Sequence, residues 1–445
     1  MTVSRTICLG FLAVIAIGTG LLLLPFSTST GEWNSWIVAL FTATSAVCVT
    51  GHIVVDTGTY FSPVGHFFIL ALIQIGGLGY MVATTFLLLL LGRKFGLRDK
   101  IALQQALDRS KLQGGSQLVK SIIATILLFE ITGILLMALV FMPQYGSALG
   151  LWYAIFHSIS AWNNAGFSLF SDNLMGFQTS LAINIIVSCL VILGGLGYET
   201  IFEAYLWLRD RVFQRTEQRR VFSLHFRVVT STTLFLLLLG TFAFYLTESR
   251  NPGTLQPLNF GQQVLAAWFQ SMTARTAGFN TIDVGKMTTA GLFITIAMMF
   301  VGASPGGTGG GIKTTTLRVL SSCTKAILQG KEEVFMYERQ VPHTLILKAI
   351  GVVVGSLMTV ALTTTLVAFV DPGVDFIQIL FEVVSAFATV GLSTGITASL
   401  SATGKILLVI TMYIGRVGIL LLMAALLGDP KPSAVHYPEE NLLVG

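Results

Sequence analysis

The sequence predicts an all-α polytopic membrane protein, in which four parallel repeats are arranged with pseudo-fourfold symmetry around one pore. Two observations predict this fold. Of the 445 residues, 53% are apolar and only 11% are charged, whereas a soluble domain carries about 25% charged residues. In addition, four short phrases that end in glycine recur at intervals of 115, 112 and 113 residues. Self-similarity at a nearly fixed period indicates one structural unit repeated along the chain.

We call these recurring segments the glycine phrases. They are Val49-Thr50-Gly51, Asn164-Ala165-Gly166, Thr276-Ala277-Gly278 and Thr389-Val390-Gly391. A second glycine signature follows each phrase after 24 to 28 residues, and it begins at Gly76, Gly194, Gly306 and Gly415. Each predicted repeat therefore reads as a membrane span (M1), a half-length apolar helix, a glycine phrase and a second span (M2).

The spacing of the apolar runs sets the boundaries of the repeats, because a membrane span needs about 20 mostly apolar residues. The predicted repeats are residues 1–92, 118–208, 227–325 and 343–428. Connectors at 93–117, 209–226 and 326–342 separate them, and a tail follows at 429–445. The first apolar run, 6–25, lacks a clear cleavage site for a signal peptidase, so we expect it to stay as a helix.

The distribution of charge predicts the orientation. Residues 93–120, 209–227 and 325–348 hold 17 of the 26 basic residues. Basic connectors stay in the cytoplasm, which predicts a multi-pass plasma-membrane protein with both termini and the tail on the cytoplasmic side. Because this charge adjoins membrane spans, we expect no nucleic-acid partner.

The middle segment of each repeat is too short to span the bilayer. These segments lie at 34–47, 150–162, 260–273 and 376–387. Each must enter the membrane and return, since every repeat begins on the same side. Such backbone is tolerated only where it is buried in protein or lines water, and glycine lets the chain turn back with its carbonyl groups directed inward. Four such loops predict a ring of carbonyl oxygens suited to a cation.

With these residues, the chain resembles the Trk/Ktr/HKT superfamily of potassium transporters, and within it the membrane pore subunit of the bacterial Ktr potassium uptake system. The resemblance covers residues 6–428 and includes the four glycine phrases, the interrupted third repeat and Arg416. It implies potassium uptake through a selectivity filter formed by the glycine phrases, whose backbone carbonyls hold the transported potassium ion. The alternative is that the glycines of these phrases are turn residues with no role in transport.

The nearest alternative function is transport of sodium, or of sodium and potassium together, by a member of the same superfamily. In plant relatives, serine at the first filter position accompanies a preference for sodium, so Gly51 favours potassium. The filter is also predicted to have an acidic outer mouth formed by Asp56, Asp172 and Asp283, which follow three of the phrases by five or six residues. Solvated loop charges are an equally simple explanation for these three carboxylates.

The second span of the third repeat cannot be one helix. The segment 302–313 is rich in glycine and contains Pro305, and each interior glycine costs about 1 kcal/mol and proline about 3 kcal/mol. We expect a loop at mid-membrane below the filter, and the resemblance implies that this loop is a gate. The predicted gate residues are Gly306, Gly307, Thr308, Gly309, Gly310, Gly311, Lys313 and Arg416. A phosphate-binding loop is disfavoured because Ile312 separates Gly311 from Lys313.

Arg416 stands where the other repeats carry Gly77, Gly195 and Gly307. A charge inside a membrane span is costly unless it is paired or hydrated. The resemblance implies that Arg416 is a barrier near the gate. A structural ion pair is the alternative, and the candidate partners are Glu130, Glu199, Glu203 and Glu382.

The connectors are too short to fold as domains, so we expect regulation to come from another subunit. The resemblance implies a homodimer that binds a cytosolic nucleotide-binding regulatory subunit (KtrA-like), within membrane lipid. It also implies that sodium or nucleotide is required for full activity in some members, although the chain shows no site for either and no bound cofactor is expected. The six histidines form no ligand spacing, so the sequence does not predict an enzyme.

Overall fold

The computed structural model describes residues 3–79, 115–212 and 221–428. This part is mostly helical and contains one short antiparallel hairpin, formed by β1 (Phe335–Met336) and β2 (Arg339–Gln340). Most of connector 93–117, part of connector 209–226 and the tail 429–445 lie outside the described residues. The described α-helices are α1 (Val3–Leu23), α2 (Trp36–Val47), α3 (Thr57–Tyr60), α4 (Pro63–Leu78), α5 (Gly115–Tyr145), α6 (Ser147–Trp162), α7 (Leu181–Leu196), α8 (Tyr198–Val212), α9 (Leu224–Glu248), α10 (Phe260–Thr273), α11 (Thr289–Phe300), α12 (Thr314–Leu328), α13 (His343–Val370), α14 (Phe376–Phe387), α15 (Ala402–Val417) and α16 (Ile419–Leu427).

Four described helices are long and apolar enough to cross a membrane, and each coincides with a predicted M1 span. They are Ser4–Leu23, Val119–Tyr145, Leu224–Glu248 and His343–Val370. Two bent helix pairs, α7 with α8 and α15 with α16, raise the number to six if each pair counts as one span. The predicted all-α fold class with several membrane helices is therefore confirmed.

A short helix with a buried C-terminal half follows each long helix. These helices are α2, α6, α10 and α14, and each ends four or five residues before the glycine of its phrase. The start of α10 is fixed by a capping box: Asn259 Oδ1 accepts from the Gln262 amide at 3.0 Å, and Gln262 Oε1 accepts from the Asn259 amide at 3.2 Å. Such caps satisfy amide groups that have no partner inside the helix.

The second glycine signature lets a short helix approach closely the helix that carries the signature. A Cβ atom added to Gly76, Gly194 or Gly415 would overlap a backbone carbonyl oxygen of Val47, Trp162 or Phe387, respectively. Each of these carbonyls belongs to the last residue of a short helix, α2, α6 or α14. Only glycine permits such an approach of two backbones. The signature therefore seats the short helix against the M2 segment of its own repeat.

Replacing Gly415 by alanine is expected to lower the free energy of unfolding by about 1–3 kcal/mol, because the added methyl group overpacks this contact. The measurement is the thermal unfolding midpoint of the purified protein in detergent. Gly351→Ala is the matched control, since Gly351 lies within helix α13 and an added Cβ meets no atom within 4 Å. An equal or smaller loss in Gly415→Ala than in Gly351→Ala would contradict the packing role.

The last glycine of the signature, three positions after its start, ends helices α4, α7 and α15. Gly79, Gly197 and Gly418 have φ angles of 74°, 87° and 85°, a left-handed region that glycine occupies without strain. The helix axis turns by 103° between α7 and α8 and by 94° between α15 and α16. The sequence predicts a break only in the third repeat, where residues 301–313 separate α11 from α12, so the bends at Gly197 and Gly418 are an additional feature.

Candidate functional site

The four glycine phrases meet in cyclic order at the centre of the described helices. Each glycine Cα lies against the carbonyl of the residue that precedes the next glycine around the ring. An added Cβ would overlap Ala165 O from Gly51, Ala277 O from Gly166, Val390 O from Gly278 and Thr50 O from Gly391. The contacts thus run from the first phrase through the second, third and fourth and back to the first. Segments that are more than 100 residues apart in sequence form one closed ring.

All four phrases share an unusual backbone conformation. The first residue of each phrase is left-handed although it is not glycine: the φ angles are 55° for Val49, 56° for Asn164, 65° for Thr276 and 51° for Thr389. The four glycines also have positive φ angles, between 69° and 90°. A left-handed non-glycine residue costs on the order of 1–3 kcal/mol, and such strain concentrates at functional sites. The twelve residues of the phrases are all buried.

Hydrogen bonds to the C-terminal ends of the short helices hold the glycine phrases in place. The amide that precedes each glycine donates to a carbonyl at the end of its own short helix: Thr50 to Ser45 and Ala165 to Ser160 at 2.8 Å, Ala277 to Thr273 at 3.0 Å, and Val390 to Ser385 at 2.8 Å. Hydroxyl groups add a second tie, since the Gly51 and Gly391 amides donate to Ser45 Oγ and Ser385 Oγ at 3.1 Å. The amide groups therefore point outward from the ring. The carbonyl oxygens of Thr50, Ala165, Ala277 and Val390 lie at the contacts between neighbouring phrases.

The loop at 302–313 lies directly against the first residues of the phrases. Thr308 Oγ1 donates to Asn164 Oδ1 at 3.0 Å, and the Gly310 amide donates to Thr389 Oγ1 at 3.0 Å. A Cβ added to Gly309 would overlap Thr276 Oγ1. The loop thus touches three of the four phrases, at the end formed by their left-handed residues.

The same loop is tied to the second repeat and to itself. Its Ser304 and Thr308 amides donate to the carbonyls of Gly195 and Gly194, at 3.0 and 3.2 Å. Lys313 Nζ donates to Gly309 O at 2.7 Å, which closes the loop on its own backbone. These contacts give several polar groups of the loop hydrogen-bond partners within the protein, as the membrane interior requires.

Arg416 joins this loop to the first repeat. Its guanidinium donates one hydrogen bond to Thr308 O and another to Gly76 O. Its hydrogen-bond partners are therefore backbone carbonyls rather than the carboxylate considered as a structural alternative. Of the candidate acids, Glu382 lies beside His52, and Glu130 accepts from Asn163 Nδ2 at 3.2 Å.

The three predicted outer-mouth carboxylates each cap a local turn. Asp56 accepts from the Gly58 amide and Asp172 from the Gly176 amide, both at 2.9 Å. Asp283 accepts from the Gly285 amide at 3.1 Å, and its other oxygen lies 3.0 Å from Lys286 Nζ. Capping explains why a short acidic side chain stands at each position. Their role in attracting cations stays a prediction.

Sequence reasoning named Glu382 only as a candidate partner of Arg416 and did not identify a set of buried polar groups next to the glycine phrases. Glu382 and His157 are 1% exposed, and each stands nine residues before the glycine of its phrase. This shared offset was visible in the sequence and could have identified them. Arg275, the residue before Thr276, was also missed; it is 8% exposed and lies 3.4 Å from Thr233 O.

An all-α membrane scaffold with a buried ring of backbone carbonyls defines a class of membrane proteins that transport ions rather than catalyse reactions. Comparison with known proteins agrees. The chain belongs to the TrkH family, described as cation transport proteins, whose model matches residues 6–435.

Individual relatives cover nearly the whole chain. The Ktr system potassium uptake protein B of Bacillus subtilis is 38% identical over 444 residues, which are 100% of this chain and 97% of that protein. The potassium/sodium uptake protein NtpJ of Enterococcus hirae is 37% identical, over 99% of this chain and 97% of that protein. The crystal structure of the potassium transporter TrkH from Vibrio parahaemolyticus matches with a TM-score of 0.70 at 19% identity and covers 95% of this chain and 85% of that one. This last likeness shows the fold.

Proposed function

We propose that the chain is the pore subunit of a potassium uptake system and that potassium passes through the ring of glycine phrases. The closed ring of carbonyl oxygens at Thr50, Ala165, Ala277 and Val390 carries this proposal. Carbonyl oxygens can replace the hydration shell of a potassium ion. The names of the Bacillus subtilis and Enterococcus hirae relatives support the same ion. No energy-coupling site is required, because the membrane potential drives cation entry.

The short helices add to the attraction for a cation. The C-termini of α2, α6, α10 and α14 adjoin the phrases, and a helix C-terminus carries a partial negative charge of about half an electron. The first residues of the phrases add Thr276 and Thr389 hydroxyl groups and the Asn164 amide at one end of the ring. Because these side chains differ, we infer one dominant ion site at the backbone ring rather than several equal sites.

The 302–313 loop is the proposed gate, and Arg416 is the proposed lock that keeps it closed. The loop lies against one end of the ring through Thr308 and Gly310, and Arg416 holds Thr308 to Gly76. A loop made largely of glycine can change conformation at little steric cost. Movement of the loop away from the ring would open the pathway.

Transport of sodium, alone or with potassium, is the second candidate. The Enterococcus hirae relative named for both ions supports it. The four glycines of the ring favour potassium, since all four phrases present backbone carbonyls without a serine at the glycine position. Activation of ion uptake by sodium is also part of this second candidate.

We place the protein in the bacterial inner membrane with both termini in the cytoplasm, as the basic connectors indicate. The proposed assembly is a homodimer that binds a nucleotide-binding regulatory subunit of the KtrA type. The word "system" in the name of the Bacillus subtilis relative supports a partner subunit.

The test is ion flux into liposomes that contain the purified protein. We expect rubidium uptake that potassium inhibits at concentrations at least tenfold lower than sodium does, with liposomes lacking the protein as the control. Sodium uptake without rubidium uptake would move the protein to the second candidate. If neither ion enters, the measurement is repeated with the cytosolic regulatory subunit bound. The proposal would be overturned if rubidium uptake is still absent with that subunit present.

A further inference from the structure

A buried carboxylate lies behind the fourth glycine phrase and binds the chain that leaves it. Glu382, on α14, is 1% exposed. Its Oε1 accepts from Ser393 Oγ at 2.6 Å and from the Thr394 amide at 2.9 Å, and its Oε2 accepts from Thr397 Oγ1 at 2.8 Å. Charge-assisted hydrogen bonds of this kind are the strong ones. Glu382 therefore fixes the segment that follows Gly391 to the short helix that precedes it.

The same carboxylate reaches the first glycine phrase. His52 directly follows Gly51 and is fully buried, with Nδ1 3.2 Å from Glu382 Oε2. Its own carbonyl accepts from Ser45 Oγ at 2.8 Å. One side chain thus holds the outgoing segments of two neighbouring phrases, the fourth and the first.

The second repeat has the same arrangement with different residues. His157, nine residues before Gly166, has Nε2 2.9 Å from Ser168 Oγ, and Ser168 follows Gly166 by two residues, as Ser393 follows Gly391. Ser168 Oγ also lies 3.3 Å from Asn173 O. The Asn173 side chain accepts from the Asn280 amide at 3.3 Å, and Asn280 follows the glycine of the third phrase by two residues.

The first and third repeats lack this pair. The residues nine before and two after the glycine are Thr42 and Ile53 in the first repeat, and Phe269 and Asn280 in the third. Besides the bonds to their own short helices, their phrases are held by the neighbouring repeat. The first phrase is held through His52 and Glu382, and the third through Asn280 and Asn173. Glu382 thus binds segments of two phrases directly, whereas His157 binds the second phrase and is linked to the third through Ser168 and Asn173.

We propose that Glu382 and His157 are positioning residues that hold the four glycine phrases at the spacing that selects the ion, Glu382 for the fourth and first phrases and His157 for the second and third. This inference rests on the proposed ion pathway and names residues outside it that determine its specificity. Neither side chain reaches the ion. Each fixes where the carbonyl oxygens stand, because hydrogen bonds to a buried polar side chain restrain the backbone segments that it joins.

The experiment compares Glu382→Gln and Ser393→Ala with the wild type in two measurements. The first is the ratio of the potassium and sodium concentrations that inhibit rubidium uptake by half. The second needs no flux: it is the rise of the unfolding midpoint in detergent with potassium or sodium concentration, since an ion that binds the folded state stabilises it. We expect both variants to lose about tenfold in ion preference, the effect of one charge-assisted hydrogen bond.

Two further variants separate positioning from general stability. Ser393→Thr keeps the hydroxyl group and is expected to retain the wild-type preference. Asp371→Asn is the matched control, because Asp371 is also a carboxylate of the fourth repeat that binds backbone and hydroxyl groups, those of Ser401 at 2.9 and 3.0 Å. It is expected to leave the preference unchanged. If Glu382→Gln does not fold, the Ser393→Ala and Ser393→Thr pair decides.

An unchanged ion preference in Glu382→Gln and Ser393→Ala would overturn the inference, and so would an equal loss in Asp371→Asn. Failure of the proposed function looks different, since the wild type itself would then show no preference for potassium. If the wild type prefers sodium, the comparison of variants still tests the inference, because Glu382→Gln and Ser393→Ala must then reduce the preference for sodium. Loss of folded protein or of maximal uptake alone, with an unchanged preference, would indicate a purely structural role.

Discussion

Replacing Gly391 by serine is expected to reduce the preference for potassium over sodium by about a hundredfold. The φ angle of Gly391 is 90°, and an added Cβ would overlap the carbonyl oxygen of Thr50, which belongs to the proposed ion ring. Backbone strain of about 1–3 kcal/mol and overpacking of about 1–3 kcal/mol must then be relieved by moving that carbonyl. A tenfold change in binding corresponds to about 1.4 kcal/mol. The measurement is the potassium and sodium inhibition of rubidium uptake in liposomes.

Gly31→Ser is the matched control for this variant. Gly31 is exposed and has a φ angle of 73°, so serine there also meets backbone strain, but an added Cβ has no atom within 4 Å. We expect Gly31→Ser to keep the wild-type preference. Gly278→Ser should behave like Gly391→Ser, because its Cβ would overlap the Val390 carbonyl. Unchanged preference in both Gly278→Ser and Gly391→Ser would rule out the ring as the filter.

The fold class was predictable because its signals are local. A long apolar run identifies a membrane helix wherever it packs, and a short one that ends in a glycine phrase identifies a helix that stops within the membrane. The predicted short segment 376–387 matches α14 (Phe376–Phe387), and 260–273 matches α10 (Phe260–Thr273). The glycine and proline content of 302–313 likewise predicted the interruption between α11 and α12.

The rest could not be predicted because it depends on which distant segments meet. Gly197 and Gly418 turn the chain by about 90° or more, yet an isolated glycine within an apolar run is compatible with a straight helix. The partner of Arg416 could not be read from the sequence either, since backbone carbonyls leave no trace in residue types. The bond from Glu382 to His52 joins residues that are 330 positions apart, and only the cyclic order of the repeats brings them together.

Replacing Arg416 by alanine is expected to shift the equilibrium between the closed and open gate by about a hundredfold toward the open state. Arg416 donates hydrogen bonds to Thr308 O in the loop and to Gly76 O in the first repeat. Each hydrogen bond that involves a charged group contributes about 1.5–3 kcal/mol, and the loop keeps its other contacts through Asn164 and Thr389. We expect the initial rate of rubidium uptake to rise at least tenfold, with the potassium preference retained.

Arg416→Lys distinguishes the lock from a simple positive charge in the pathway. Lysine keeps the charge but lacks the planar fork with which arginine spans two acceptors, so the lock predicts faster uptake in Arg416→Lys as well. An electrostatic barrier predicts a rate close to wild type. Arg5→Ala is the control, because Arg5 also donates to a backbone carbonyl of the fourth repeat, Ala425 O at 2.7 Å, away from the loop. Slower uptake by folded Arg416→Ala protein, with Arg5→Ala unchanged, would show that Arg416 supports the pathway instead of closing it.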